Sequence, residues 1–318
     1  MTALLEKNNI DLSVIILNYN SKNFLAKCVD SILKSKLDRY HIEVIVADNA
    51  STDNSFSLAK KQNPTSSKFN LIYKKLPKNY GFSTGNNRAL KSTNPMSSHV
   101  LFLNPDTTVE PDTFKKMLDF FKKNPHVDAA TCDLILVASG KTQPESHRSF
   151  PTPLNSFWHF FGFGLPKLFP KSKFFNGYFS GHLDFSKTQK IDACVGAFIM
   201  LKRSVGEEIG WWNENYFFYG EDLDLCWQLK KHGFSLYFYP AAKAYHYQGI
   251  SSGIVSHSRK LSPAKRNTKL KTALASTQAM RIFYQNNLID NYPKIIRPFV
   301  WAGINLLEKY RIFKAKYL

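Results

Sequence analysis

The chain has 318 residues, 43% of them hydrophobic and 21% charged; this is ordinary globular usage, enough for one large domain or two small ones, and it excludes a disordered protein. Four scattered cysteines (Cys28, Cys132, Cys194, Cys226) exclude a zinc ribbon or a redox dithiol and suit a reduced, cytosolic compartment. Lys and Arg number 43 against 24 Asp and Glu, a net charge of +19, which alone admits nucleic acid, an anionic membrane or phosphorylated substrates as partners.

The N-terminal third reads as strands alternating with helices. Residues 12–17 (LSVIIL) form an unbroken apolar, β-branched run, the pattern of a strand buried on both faces. A helix follows over 21–36, with Phe24, Leu25, Cys28, Ile32 and Leu33 on one side. Residues 43–47 (EVIVA) predict a second strand, 55–61 a short helix, 70–73 a third strand and 83–91 another helix. A fourth strand over 99–103 (HVLFL) precedes a helix over 111–123, opened by Pro111. Strands separated by helices of this length predict a parallel, doubly wound sheet. Residues 141–190 break the rhythm with five prolines and the apolar patch 157–165 (FWHFFGFGL), and read as a long excursion with a short helix. A return strand over 191–201, an aromatic loop over 211–219, a helix over 222–231 and a final strand over 235–239 follow. Two helical segments, 263–286 and 293–316, end the chain.

Open parallel sheets bind ligands at the carboxyl ends of their strands. Polar residues gather there repeatedly: Asn18 and Asn20 after the first strand, Asp48 and Asn49 after the second, Asn104 and Asp106 after the fourth. Between them, residues 79–87 (NYGFSTGNN) make a glycine-containing turn into a helix N-terminus, a geometry that favours phosphate. Asp and Asn also cap helices and end strands routinely, but four clusters on one edge point to a shared site.

NYN after the first strand, ADNASTDNS after the second, then NYGFSTGNNRAL, LFLNPDT and FFYGEDLDLCWQLKKHG together resemble the inverting glycosyltransferases of family 2, in their rhamnosyltransferase-like branch. The resemblance spans residues 11–250. It implies a GT-A fold, Rossmann-like with a mostly parallel sheet: a nucleotide-sugar half over about 11–110 and an acceptor half over 111–250, irregular at 141–190. Carried over motif by motif, Asp48 meets the nucleotide base, with Asn18 and Asn20 in the same pocket. Asn79, Gly81, Gly85 and Asn86 flank the sugar-nucleotide, and Asn104 and Asp106 stand where the family usually has Asp-x-Asp. Asp106 is then the carboxylate ligand of Mg²⁺ or Mn²⁺, and His246 stands where relatives place another, against the alternative of a structural histidine. A divalent metal neutralises the charge that grows on the departing nucleoside diphosphate. The ED motif makes Asp222 the base that deprotonates the acceptor hydroxyl, with Glu221 in support; Asp224 is structural. Trp211, Trp212, Phe218 and Tyr219 precede the base, either as platforms for a sugar ring or as core. The branch suggests dTDP-rhamnose as donor, a glycan or lipid-linked glycan as acceptor and a role in cell-surface polysaccharide synthesis. UDP-hexose or UDP-N-acetylhexosamine is the alternative.

Residues 251–318 carry 13 Lys and Arg against Asp290 and Glu308, a net +11. Among these charges, residues 298–318 interleave Phe299, Val300, Trp301, Ile304, Leu307, Ile312 and Phe313. A basic, aromatic helix of this kind fits a membrane interface, hence a cytoplasmic protein peripheral on the inner face of the cytoplasmic membrane; the alternative is a helix docked on the catalytic domain. Nucleic acid is not expected as a partner, since no recognised nucleic-acid motif occurs and the basic excess is in the tail. A non-catalytic carbohydrate-binding module would have no use for Asp106 and Asp222.

Overall fold

The computed structural model describes residues 10–22, 24–64, 66, 69–247 and 266–317. Strand β1 (Leu12–Asn18) is buried along its whole length and pairs in parallel with β2 (Ile42–Asp48), which pairs in turn with β3 (Asn70–Lys75). Helices α1 (Phe24–Leu33) and α2 (Ser55–Gln62) provide the crossovers. Helix α3 (Gly81–Leu90) leads into β4 (His99–Leu103), parallel to β1 on its other side.

Beyond this point the sheet is mixed. Strand β5 (Thr107–Val109), helix α4 (Thr113–Lys123), β6 (Ala129–Leu136) and the short β7 (Lys141–Thr142) come next in the chain. The excursion that follows holds helices α5 (Pro153–Phe161) and α6 (Leu165–Leu168) and the two-residue β8 (Gln189–Lys190). Thr152 caps α5 by accepting the Asn155 N–H, and Pro153 sits in the first turn, where a missing N–H costs nothing. Strand β9 (Phe198–Lys202), helices α7 (Arg203–Ile209) and α8 (Glu221–Lys231) and strand β10 (Leu236–His246) complete the sheet, in the order β3-β2-β1-β4-β9-β6-β10-β5. Because β9 runs antiparallel to β4 and β6, its start rather than its end reaches the edge where β1, β2 and β4 finish.

Several elements differ from expectation: β5 and β6 were not expected, α1 and α3 start at Phe24 and Gly81 instead of 21 and 83, and three further bounds shift. The return strand is only Phe198–Lys202; upstream, the 191–197 stretch is tied by an isolated bridge between Arg148 and Ala193. The last strand runs on to His246, with a register shift between Tyr239 and Lys243 where Pro240 lacks the N–H for the ladder. Helix α4 starts at Thr113, two residues after Pro111. Of the expected terminal helices, α9 (Arg266–Phe283) and α10 (Arg297–Tyr317) are seen, and residues 263–265 lie outside the described set.

The sheet is covered on both faces, as alternation along a buried strand demands. Leu12, Val14 and Ile16 of β1 face α1, α2 and α4, while Ile15 and Leu17 share a second core with α3, α7 and α8. Phe283 at the end of α9, with Tyr284 and Leu288 after it, is buried in that second core, and Val300 and Trp301 of α10 pack against it. The C-terminal helices are thus docked on the sheet domain. All four cysteines are free and buried.

Candidate active site

The carboxyl ends of β1, β2, β4 and β10, with the start of β9, border a cleft of about 1180 Å³. Strand ends supply Tyr19, Asn20, Asn49, Asn104, Asp106 and His246. The start of α3 adds Asn79, Gly81 and Phe82, and the loop into α8 adds Phe217, Phe218, Tyr219, Glu221 and Asp222.

Where β1, β2 and α3 border the cleft, loop geometry is set by side-chain amides. Asn20 has φ 51° and its Oδ1 accepts the Thr52 N–H at 2.7 Å, locking the two strand-end loops together. Asn49 Nδ2 donates to Asn79 Oδ1 and to the Gly81 carbonyl, both at 3.0 Å. Gly81 has φ +78°, and a Cβ there would lie 2.5 Å from the Phe217 carbonyl oxygen. That contact, with the Phe82 N–H donating to the same oxygen at 2.8 Å, brings the 217–222 loop against α3.

Asp106 and His246 meet across neighbouring strand ends, with Asp106 Oδ1 3.2 Å from His246 Nε2 and both side chains under a tenth exposed. Gln143 Oε1 lies 2.8 Å from His246 Nδ1, so an Nδ1–H tautomer would donate to it and leave Nε2 free to act as a ligand. The spacing of Nε2 and Asp106 Oδ1 fits a shared cation, since neighbouring ligands of an octahedral ion with bonds of about 2.1 Å lie about 3.0 Å apart. No group of three or more His, Cys, Asp or Glu able to hold a metal occurs among the described residues. The remaining positions would fall to phosphate oxygens and water, as is usual for Mg²⁺.

Elsewhere in the cleft wall, Asp222 stands in the first turn of α8. Arg148 Nη2 donates to Asp222 Oδ2 at 2.8 Å, with the side chains 11% and 13% exposed, and the Leu223 N–H donates to Oδ1 at 2.8 Å. Each oxygen keeps a second lone pair for a ligand hydroxyl. Gly196 packs here without a side chain, 3.6 Å from Asp222 Cβ to where its own Cβ would be. Beside Asp222, burial and the neighbouring carboxylate charge push the Glu221 carboxyl up to about 8, and its Oε2 has no hydrogen-bond partner. Both causes favour the protonated form of Glu221 beside the Asp222 carboxyl.

Several expected site residues lie elsewhere. Asn18 is fully buried and does not line the cleft: its Nδ2 donates to Asp48 Oδ1 at 2.7 Å and to Ser51 and Ser55. Asp48 is 4% exposed and also behind the wall, accepting from Ser51 Oγ at 2.6 Å. Both stiffen the loop that presents Asn20 and Asn49. Gly85 and Asn86 face inward because α3 begins at Gly81. A Cβ on Gly85 would meet Leu17 at 2.6 Å, and Asn86 donates to the Phe82 carbonyl. Trp212 is 1% exposed and packs edge-on against Phe82 and Phe102, and Trp211 packs against Gly206 and Phe102. Trp212 is core, and Trp211 packs half-buried against it. Tyr219 does line the cleft, together with Phe217 and Phe218. Asp224 is structural as expected, held by Asn213, Tyr216 and Asn287.

Arg148, Gln143 and the C-terminal wall were not legible in the sequence. Arg148 and Gln143 lie in the irregular segment, where only long-range pairing shows their role; Arg148 exchanges backbone hydrogen bonds with Ala193 at 2.8 Å. The C-terminal wall includes Lys271, Ser276, Met280, Phe299, Ile304 and Arg311.

Known proteins resemble this chain in sequence and fold. The chain is 26% identical over 251 residues to an N-acetylglucosaminyl-diphospho-decaprenol L-rhamnosyltransferase of Mycobacterium tuberculosis, covering 76% of this chain and 78% of that one. It is 25% identical over 251 residues to the rhamnosyltransferase WbbL of Escherichia coli, covering 74% and 82%. Among solved structures, the mannosyltransferase PcManGT from Pyrobaculum calidifontis superposes with a TM-score of 0.55 at 16% identity over 98% of this chain and 74% of that one. Staphylococcus aureus TarS 1-349 gives 0.52 at 17% identity, covering 84% and 65%. These are GT-A transferases, and the mixed sheet with helices on both faces is that fold. The glycosyl transferase family 2 model matches residues 13–210, more than half of the chain, and the chain belongs to that family.

Proposed function

We propose that this protein transfers L-rhamnose from dTDP-rhamnose to a hydroxyl of a lipid-linked glycan, with inversion at the anomeric carbon, in the synthesis of a cell-surface polysaccharide. The observation that carries the reading is one cleft lined by two polar pairs, Asp106–His246 and Asp222–Arg148. The first suits a diphosphate with its cation, the second an acceptor hydroxyl. Relatives named as rhamnosyltransferases supply the donor and the lipid-linked class of acceptor.

Asp106 and His246 would hold Mg²⁺ or Mn²⁺, with Gln143 fixing the imidazole, and neighbours solved with Mn²⁺ support this choice. The ion supplies neutralisation of the leaving diphosphate. Tyr19, Asn20, Asn49 and Asn79 present the nucleotide-facing surface, and Asn104 borders the diphosphate position. Asp222, oriented by Arg148, takes the acceptor proton while the hydroxyl attacks the face opposite the leaving group, so one displacement inverts the configuration. Glu221 in its protonated form keeps a second negative charge out of the acceptor pocket. Tyr219, Phe217 and Phe218 offer ring faces to the sugar.

Residues 1–250 form the transferase domain in this reading, and 251–318 an extension whose helices add a wall to the cleft. No helix among the described residues is long and apolar enough to cross a membrane. Phe163, Leu168, Ile295 and Phe299 stand 99%, 70%, 76% and 73% exposed among a strongly basic background. They support a cytoplasmic protein seated peripherally on the inner face of the membrane. A donor alternative, a UDP-N-acetylhexosamine, is supported by 27% identity over 138 residues to the poly(ribitol-phosphate) beta-N-acetylglucosaminyltransferase TarS of Staphylococcus aureus.

A panel of nucleotide sugars, each with and without Mn²⁺, followed by thermal shift and by transfer to a synthetic lipid-linked acceptor, tests the reading. dTDP-rhamnose with Mn²⁺ should give the largest shift and a product whose anomeric configuration, read by NMR, is inverted. Preference for a UDP-sugar would replace the donor, and retention of configuration would remove the mechanism.

A further inference from the structure

The cleft that Asp222 lines is also bordered by α5 and α10, along a side termed its limb. The two helices touch: a Cβ on Gly303 would be 3.8 Å from Phe161, and Arg311 lies 5.5 Å from the Phe160 ring centroid. Phe157, Phe160 and Phe161 line one side of this limb, and Phe299, Ile304 and Leu307 the other. Helix α5 carries four aromatic residues besides His159, yet none of its residues is buried, and Phe157 and Phe299 are 50% and 73% exposed. Each such side chain left in water forgoes about 1.5–3 kcal/mol of burial. A contiguous apolar surface bordering a cleft is the usual mark of a binding site.

A charge stands inside this apolar limb. Arg311 is half-buried, and burial lowers its pKa. Its Nη1 donates to Ser276 Oγ at 2.8 Å and lies 3.9 Å from Met280 Sδ, and it has no ion pair among the described residues. The contrast on the same wall is Arg281, which Glu308 neutralises at 2.6 Å. A guanidinium has five N–H donors, and neutral partners occupy few of them. Lys271 borders the cleft from α9, and Tyr178 and Tyr219 are close enough to act on the Arg311 charge. Tyr219 ties this place to the acceptor end, three residues before Asp222.

An anion beside a long apolar trough describes one ligand class: a diphosphate esterified to an isoprenoid alcohol. We propose that Arg311, aided by Lys271, binds the diphosphate of a polyprenyl-diphosphate-linked acceptor, and that Phe157, Phe160 and Phe299 carry its first isoprene units. This rests on the glycosyltransferase reading and names the acceptor's subsite within it. A phosphodiester polyol would satisfy the arginine but would leave the aromatic trough exposed to water, so the lipid is the better fit.

The test measures equilibrium binding of farnesyl diphosphate to the full-length protein, with the donor site saturated by dTDP and Mn²⁺. Farnesol, inorganic pyrophosphate and poly(ribitol phosphate) serve as comparison probes. Farnesyl diphosphate should bind at least tenfold more tightly than any of the three. Arg311→Gln should lose about 10- to 100-fold of that affinity, the effect of removing a hydrogen bond to a charged group, while dTDP binding stays unchanged. Arg311→Lys should recover part of the loss, and Phe160→Ser should weaken farnesyl diphosphate but not pyrophosphate. Equal binding of farnesol, equal binding of poly(ribitol phosphate), or an Arg311→Gln protein with parental affinity would each overturn the proposal. None of these outcomes depends on turnover, so the subsite can fail while nucleotide-sugar transfer stands. Conversely, a protein that transfers no sugar yet binds farnesyl diphosphate through Arg311 would overturn only the transferase reading.

Discussion

Replacing Asp222 with Asn separates its chemical role from its structural one. Asn keeps the size of the side chain and one oxygen to accept from Arg148 or from the Leu223 N–H, but it cannot take a proton. The pair it disturbs is close, at 2.8 Å, and both side chains are nearly enclosed. Exchanging a charge-assisted hydrogen bond for a neutral one in such a place costs about 1–3 kcal/mol. At roughly 2–4 °C per kcal/mol for a chain of this order of size, the melting midpoint should fall by no more than about 12 °C. Turnover should fall far more, by about 10²–10⁴, or roughly 3–5 kcal/mol in the barrier, with donor affinity intact because the interaction is made in the transition state. Arg148→Met should destabilise more than Asp222→Asn, by about 3–5 kcal/mol, since it strands a buried carboxylate. The double variant should then be less destabilised than the sum of the singles, because neither charge is left alone. Steady-state kinetics with the preferred donor, together with melts of all four proteins, measure this cycle. Near-parental kcat in Asp222→Asn would remove Asp222 as the base. Strict additivity of the two stability effects would show that the ion pair does not couple the residues.

Two further outcomes are expected. Asp106→Ala should abolish the Mn²⁺-dependent gain in nucleotide affinity seen by calorimetry while leaving the fold intact; an unchanged metal dependence would refute the Asp106–His246 site. For Glu221, the folded protein holds its proton up to about 8, whereas the unfolded chain releases it near the ordinary 4.5. The stability this gives is fully present below about 4.5 and is lost as the pH rises through about 8, because the unfolded state binds fewer protons across that window. Glu221→Gln is neutral throughout, so its melting midpoint should fall less between pH 5 and 9 and exceed the parent's at pH 9, with parallel pH profiles counting against a buried, protonated Glu221.

The aromatic loop shows how little local pattern says about direction. Trp211 and Trp212 precede the base in the chain and could serve a sugar equally well, but Phe82 and Phe102 claim Trp212 for the core and Gly206 opens a place for Trp211. Gly85 and Asn86 sit in a turn-like stretch, yet a helix starting four residues earlier rotates them onto β1, because 3.6 residues per turn fix which side faces the sheet. Asn18 and Asp48 belong to the right loops and still point behind the cleft, each other's partner at 2.7 Å.

The sequence by itself determined the first four strands and the edge at which their polar ends gather. Runs such as LSVIIL and HVLFL are buried on both faces and must be written in unbroken apolar residues. It also placed Asp106 at that edge, since a position just past a strand end is a local property, whereas His246, Glu221 and Asp222 came through the family resemblance of their motifs, and the strand over Ala129–Leu136 was not foreseen. Only the tertiary structure decided their company. Arg148 reaches Asp222 across 74 positions of chain, Gln143 reaches His246 across 103, and the Arg311 wall arrives from the far end of the molecule. Such contacts depend on how the sheet closes and on which helices cover it, and those are set by the free energy of burying the whole chain rather than by any stretch of neighbours.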